Sequence, residues 1–90
     1  MQQAEFEAGL RRDGYEVRPA AGRAPNDFVD DHAHGFDARL LILEGALTIG
    51  RESGEHTFGP GEVCDVPAGH RHTERTGPEG VRYLAGRRAA

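Results

Sequence analysis

Two closely spaced histidines have the spacing of a metal site. His32 and His34 are separated by one alanine in the stretch D-D-H-A-H-G. Side chains alternate along a strand, so both rings project to one face if a strand runs through Ala33, with Cα atoms about 7 Å apart. Two neutral imidazoles at that spacing can bind one ion through nitrogens about 2.1 Å from it. With five histidines in 90 residues such a pair also arises by chance, so two exposed histidines at a strand end are the competing interpretation.

A second segment contributes a third histidine. The sequence G-E-V-C-D-V-P-A-G-H-R-H, residues 61–72, combines a turn glycine, a short strand, a proline that ends the strand and a glycine turn. We expect this strand–turn–strand element to place His72 level with the first two histidines. Three convergent imidazoles form a facial metal site with open coordination positions. Such a site leaves the charge of a divalent ion uncompensated, so it favours an anionic ligand such as a carboxylate or thiolate.

The elements that must position these histidines are short strands. Thirteen glycines and five prolines lie singly between short apolar runs, which is typical of an all-β protein with many turns. Loops are predicted at residues 19–26 and 76–80. Turn signals at intervals of roughly 8–12 residues favour a closed barrel or sandwich. The predicted strands cover residues 15–18, 27–34, 38–44, 46–51, 56–58, 63–66, 70–75 and 81–85.

The first residues have a helical pattern instead. Phe6 and Leu10 are four residues apart, charged residues surround them, and an Asp-Gly pair ends the pattern. A chain of 90 residues has room for one core only. We therefore predict an N-terminal helix and lead-in at residues 1–14, on the outside of one barrel domain at residues 15–90.

The apolar run L-L-I-L, residues 40–43, is predicted to be the central strand that supports the histidine-bearing segment. Phe28, Phe36 and Tyr83 either line the mouth of a pocket or pack. The lone cysteine, Cys64, excludes an internal disulfide and is expected to be a small core residue. The residues expected to line the barrel or form its core are Leu41, Leu43, Phe58, Val63 and Val66.

Charge and hydropathy exclude several classes of partner. The net charge is −4 and no basic stripe is present, which argues against binding to nucleic acid. No apolar run approaches the length of about 18 residues that a membrane span needs. The first residues lack a basic segment followed by an apolar one, so we expect no secretory signal and a cytoplasmic location.

These residues resemble two motifs of the cupin superfamily, the small double-stranded β-helix (jelly-roll) barrels. The first motif has a glycine, a His-x-His pair, a glutamate and a second glycine. His32, His34 and Gly45 stand at the right intervals, whereas Asn26 replaces the first glycine and Ala38 the glutamate. The resemblance implies an all-β barrel with a short N-terminal helix.

The second motif has a glycine, a P-x-G turn, a histidine and an asparagine. Gly61, Pro67, Gly69 and His72 match it at fixed spacing, and Thr76 replaces the asparagine. The resemblance extends over most of the chain, roughly residues 26–85. It implies that His32, His34 and His72 hold a divalent first-row transition metal (iron, manganese, nickel or zinc).

The alanine in the glutamate position leaves three alternatives open. The site can use three histidines, as in some cupin dioxygenases of thiol substrates; it can recruit Asp37 or Glu74; or it binds metal weakly or not at all. Asp37 should face away unless a bend at Gly35 turns it inward. Glu74 follows His72 by two residues and so shares its face of the strand.

The resemblance does not fix the function, because the superfamily includes dioxygenases, isomerases, storage proteins and sensory domains. The first hypothesis is a metal-binding cupin of unassigned activity that binds a small anionic ligand in the barrel. As an enzyme it would be dioxygenase- or isomerase-like, with Glu74 or Asp37 as general base. The alternatives are a non-catalytic small-molecule-binding or sensory cupin, and a metal-free cupin with remnant histidines. The resemblance also implies a homodimer.

Overall fold

Two long antiparallel strands organise the fold. The computed structural model describes all 90 residues and consists of one helix and six strands. The helix is not long and apolar enough to cross a membrane. The elements are α1 (Gln3–Arg12), β1 (Glu16–Arg23), β2 (Phe28–His32), β3 (Phe36–Arg51), β4 (Gly54–Phe58), β5 (Val63–Val66) and β6 (His72–Ala89).

The strands β3 and β6 each take part in two facing sheets. The first half of β3 pairs with β5 and with the second half of β6, which also pairs with β1. The second half of β3 pairs with β4 and with the first half of β6, which also pairs with β2. The two sheets fold over one another into a small jelly-roll barrel. The predicted all-β barrel with a short N-terminal helix is therefore confirmed.

Glycines let both long strands bend at the same place. Gly45 and Gly80 have φ angles of +77° and +76°, and a Cβ on Gly45 would collide with the carbonyl oxygen of Gly80. The sequence predicts a turn at the first and a loop at residues 76–80, but both strands continue through irregular pairing there. Glycine allows a strand to turn a corner without ending, which is why fewer and longer strands are observed than predicted.

The first strand is also longer than predicted. Residues 19–26 were expected to form a loop, yet β1 continues to Arg23, with a register shift between Arg18 and Ala21. Pro19 lies in this gap, and a proline has no N–H to donate to the neighbouring strand. The proline therefore interrupts the pairing locally instead of ending the strand.

The barrel interior holds the larger core cluster. Leu47 and Ile49 come from one sheet, and the other members come from the other sheet. This shared core is what joins the two sheets. The cluster consists of Ala38, Ile42, Leu47, Ile49, Cys64, Val66 and Val81.

A second core cluster lies outside the barrel, under α1. Phe6 and Leu10 of the helix pack against Leu41 and Leu84, and Leu43 and Val63 border this cluster. Leu41, Leu43 and Val63 were expected to line the barrel or form its core: Leu41 is a buried member of this outer cluster, Leu43 and Val63 pack against it, and none of the three belongs to the interior cluster. The run L-L-I-L is apolar on both faces because the helix covers the outer one, and a continuous apolar run does not reveal which residues face inward.

Candidate metal centre

Four side chains meet at one end of the barrel. His32 is the last residue of β2 and pairs with His72, the first residue of β6. Glu74 lies two residues further along the same face of β6, and His34 lies in the connection between β2 and β3. One ligand atom from each residue lies within 4.8 Å of the others. The structure thus brings together the three histidines of the sequence prediction and Glu74.

The distances within this group fit the coordination shell of a metal. The Nε2 atom of His32 is 3.2 Å from Nε2 of His34 and 3.1 Å from Oε2 of Glu74. The Nε2 atom of His72 is 3.0 Å from the same carboxylate oxygen. Two ligands at right angles, each about 2.1 Å from a metal, lie about 3.0 Å apart.

In two of the histidines, the ring nitrogen that faces away from the group, Nδ1, is hydrogen-bonded to a backbone carbonyl. The Nδ1 atom of His32 donates to the carbonyl oxygen of Asp30 at 2.8 Å, and Nδ1 of His72 donates to that of His70 at 3.0 Å. In a neutral ring, a proton on Nδ1 leaves a lone pair on Nε2. With Nδ1 donating, the Nε2 atoms of His32 and His72 face the carboxylate of Glu74 either as lone pairs, which a metal ion can bind, or with a second proton, which the carboxylate accepts. Carbonyls in this position orient the histidine ligands of many metal sites.

His34 is kept neutral by its surroundings. Its ring stacks on Phe36 at a centroid distance of 4.8 Å and an angle of 1°, and its buried Nδ1 has no hydrogen-bond partner. Burial, and then the neighbouring rings of His72 and His32, lower the pKa of His34 below its usual value. The neutral imidazole is the form that binds metals.

Arg23 holds the carboxylate of Glu74 in place. Its Nη1 atom lies 2.5 Å from Oε1 of Glu74, while Oε2 faces the histidines. Burial raises the pKa of Glu74, but hydrogen bonding with His72 and the charge of Arg23 outweigh this effect and hold the pKa below its usual value. Glu74 therefore supplies the negative charge that Ala38 cannot. Sequence reasoning missed Arg23, because it lies in a predicted loop.

Asp37 does not join the group. Its Oδ1 accepts a hydrogen bond from the backbone N–H of Ala68 at 2.9 Å, and its Oδ2 one from Arg88 at 3.0 Å. The Ala68 hydrogen bond and then that of Arg88 lower the pKa of Asp37, which makes it a weak base. Strand alternation directs this carboxylate away from the barrel, and Gly35 does not turn it inward.

Thr76 replaces the asparagine of the second motif and has a structural role. Its hydroxyl donates to the carbonyl oxygen of Ala24 at 2.6 Å and accepts from the backbone N–H of Asp27 at 2.8 Å. These bonds tie the connection between β1 and β2 to β6. They fix the segment directly after Arg23.

Cys64 takes no part in the group. Its side chain is fully buried in the barrel core, and burial raises the pKa of its thiol to about 11. A buried, protonated thiol behaves as a small hydrophobic residue. The sequence interpretation of Cys64 as a core residue agrees with this position.

A cavity of about 200 Å³ lies inside the barrel beside the metal-ligating group. His34 and Glu74 form one part of its wall, Ala38 and Tyr83 belong to its mostly apolar remainder, and Arg87 also borders it. A larger polar groove around His70 lies elsewhere and contains none of the four converging side chains. The group and the cavity together therefore form the candidate site.

Comparison with known proteins identifies the fold. No protein-family model and no curated protein matches the sequence. A solved protein of unknown function from Rhizobium leguminosarum is 20% identical with a TM-score of 0.75, over 100% of this chain and 97% of the other. A cupin-2 domain containing protein from Shewanella frigidimarina is 16% identical with a TM-score of 0.64, over 100% and 95% of the two chains.

A cupin superfamily protein from Desulfitobacterium hafniense is 22% identical with a TM-score of 0.65. The match covers 79% of this chain but only 64% of that one, so this chain spans less than two thirds of that protein. The chain has the cupin fold, as its two motifs indicated. Its group of three histidines and one glutamate lies inside that fold at one end of the barrel.

Proposed function

We propose that this protein is a cupin that binds one divalent first-row transition metal through His32, His34, His72 and Glu74. The observation that carries the proposal is the convergence of their acceptor atoms within 4.8 Å, with two Nδ1 atoms committed to carbonyls. A cation at the centre is attracted by the nitrogen lone pairs and by the carboxylate of Glu74. Imidazole and carboxylate ligands together suit iron, manganese, nickel and zinc.

The charge of this centre favours an anionic ligand. Three neutral imidazoles and one carboxylate leave a divalent ion with a net positive charge, and the Arg23 guanidinium bonded to Glu74 adds another. A bound metal would act as a Lewis acid toward an oxygen of the ligand. The largely apolar wall of the adjoining cavity limits the access of water to it.

A non-catalytic binding function is the second candidate, and the two carboxylates favour it. Both oxygens of Glu74 are engaged, one by Arg23 and one by the histidines, and Asp37 is bound to Ala68 and Arg88. Neither is free to act as a general base, so we propose Glu74 as a ligand. Oxygen uptake with thiol or dicarbonyl substrates tests for dioxygenase activity.

Metal analysis of the purified protein tests the site itself. The unmodified protein should contain about one metal ion per chain, and His34→Ala and His72→Ala should each reduce the content at least about tenfold. His56→Ala is the matched control, because His56 is exposed and remote from the group. Unchanged metal content in both site variants would contradict the proposal.

A further inference from the structure

Arg87 borders the barrel cavity without a partner for its charge. Its guanidinium carbon lies 4.6 Å from the centroid of the Phe36 ring, and it lines the same cavity as His34. Its side chain takes part in no hydrogen bond and no ion pair, whereas the side chain of the next residue, Arg88, is bound to Asp37. Alternation along β6 places Arg87 on the cavity side and Arg88 on the other.

The contact with Phe36 makes Arg87 suitable for recognising an anion. An arginine over an aromatic face is held by a cation–π interaction, which leaves its N–H groups available for other partners. A guanidinium binds a carboxylate through two parallel hydrogen bonds. Apart from His34 and Glu74, the rest of the cavity wall is apolar, so it suits a ligand whose remainder is apolar as well.

We propose that the barrel cavity binds a small carboxylate with a compact apolar body, and that Arg87 pairs with its carboxylate. The inference rests on the proposed function, because it places the ligand beside the metal-binding group. The cavity of about 200 Å³ limits the size of the body. An apolar cavity of about 150 Å³ holds benzene, so one six-membered ring or a short branched chain fits here.

The test is a titration of the zinc-loaded protein, followed by nuclear magnetic resonance. The probes are benzoate and 3-methylbutanoate, with benzamide as the neutral analogue of benzoate. Both anions should shift the resonances of Ala38 and Ala85, which line the cavity. Arg87→Gln should weaken the binding of both anions only about fivefold, because Arg87 is exposed to solvent, and should leave the binding of benzamide unchanged.

Arg82→Gln is the matched control, because it removes the same charge from the same strand outside this cavity. The inference would be overturned if Arg87→Gln bound the anions as tightly as the unmodified protein does. It would also be overturned if the unmodified protein bound benzoate no more tightly than it binds benzamide. The zinc content of each sample is measured separately. If the protein binds zinc but does not prefer the anions, the metal proposal stands and the carboxylate site is contradicted. If the protein binds no zinc but binds the anions in a way that depends on Arg87, the carboxylate site is supported and the metal proposal is contradicted.

Discussion

At the scale of single residues, Arg23 determines how Glu74 presents its carboxylate. The guanidinium takes one oxygen, so the other is directed at His72 and His32. Its positive charge also repels a metal ion, so Arg23 has two opposing effects on metal affinity. Loss of a residue that orients a metal ligand typically lowers metal affinity about 10–100-fold, which is the larger effect.

Arg23→Gln should therefore weaken zinc binding at least about tenfold, and Arg23→Lys should recover part of the loss because an ammonium group can still donate to the carboxylate. Competition with a chromophoric chelator measures the affinity. Arg18→Gln on the same strand is the control, since Arg18 pairs only with Glu16. Tighter zinc binding in Arg23→Gln would show that charge repulsion outweighs orientation.

At the scale of elements, the bend shared by β3 and β6 connects the metal-binding end of the barrel to the rest of the fold. Gly45 lies on β3 and Gly80 on β6, and the backbones touch at the bend. On one side of the bend, the first half of β6 carries two members of the metal-ligating group, His72 and Glu74. A side chain at the bend should therefore affect the stability of the whole barrel.

Gly45→Ala should lower the free energy of unfolding by about 1–3 kcal/mol or more, because alanine is strained at φ +77° and its Cβ meets the Gly80 carbonyl. Gly59→Ala is the control, as its Cβ would be 3.6 Å from Glu62, an ordinary contact. We expect that variant to stay within about 0.5 kcal/mol of the unmodified protein. Urea denaturation measures both, and equal stability would contradict the role of the bend.

At the scale of the whole molecule, the core is divided into two small clusters, so a bound metal should add measurably to the stability of the fold. The interior cluster and the cluster under α1 share one 90-residue chain, and a domain of this size is marginal without further support. The homodimer stays a prediction; β1 and β4 lie at the ends of the strand order, so each has one edge without a neighbouring strand.

Zinc at a hundred times its dissociation constant should raise the free energy of unfolding by up to about 2.7 kcal/mol, because it binds the folded chain. Chelation should reverse the gain, and His72→Ala should show none. Chemical denaturation with and without zinc measures the difference. An equal gain in His72→Ala would mean that zinc binds elsewhere.

Local patterns in the sequence were sufficient to predict the class of fold and the histidines. The alternation around His32 and His34, and the G–P-x-G–H spacing that ends at His72, depend on neighbouring residues only. Such periodicities survive folding, because a strand directs side chains two residues apart to the same face. The helix at Phe6 and Leu10 followed from the same kind of local repeat.

The tertiary structure alone decided which carboxylate and which arginines reach the site. The sequence left both Asp37 and Glu74 as candidates, although alternation already favoured Glu74; the structure decided between them by showing Ala68 and Arg88 bound to the first and Arg23 to the second. Arg87 borders the cavity only because the two sheets close around it, which the sequence does not show. Spacing along the chain determines the face on which a side chain lies, but its partners across the barrel depend on strand pairing and bending, which bring together residues far apart in sequence.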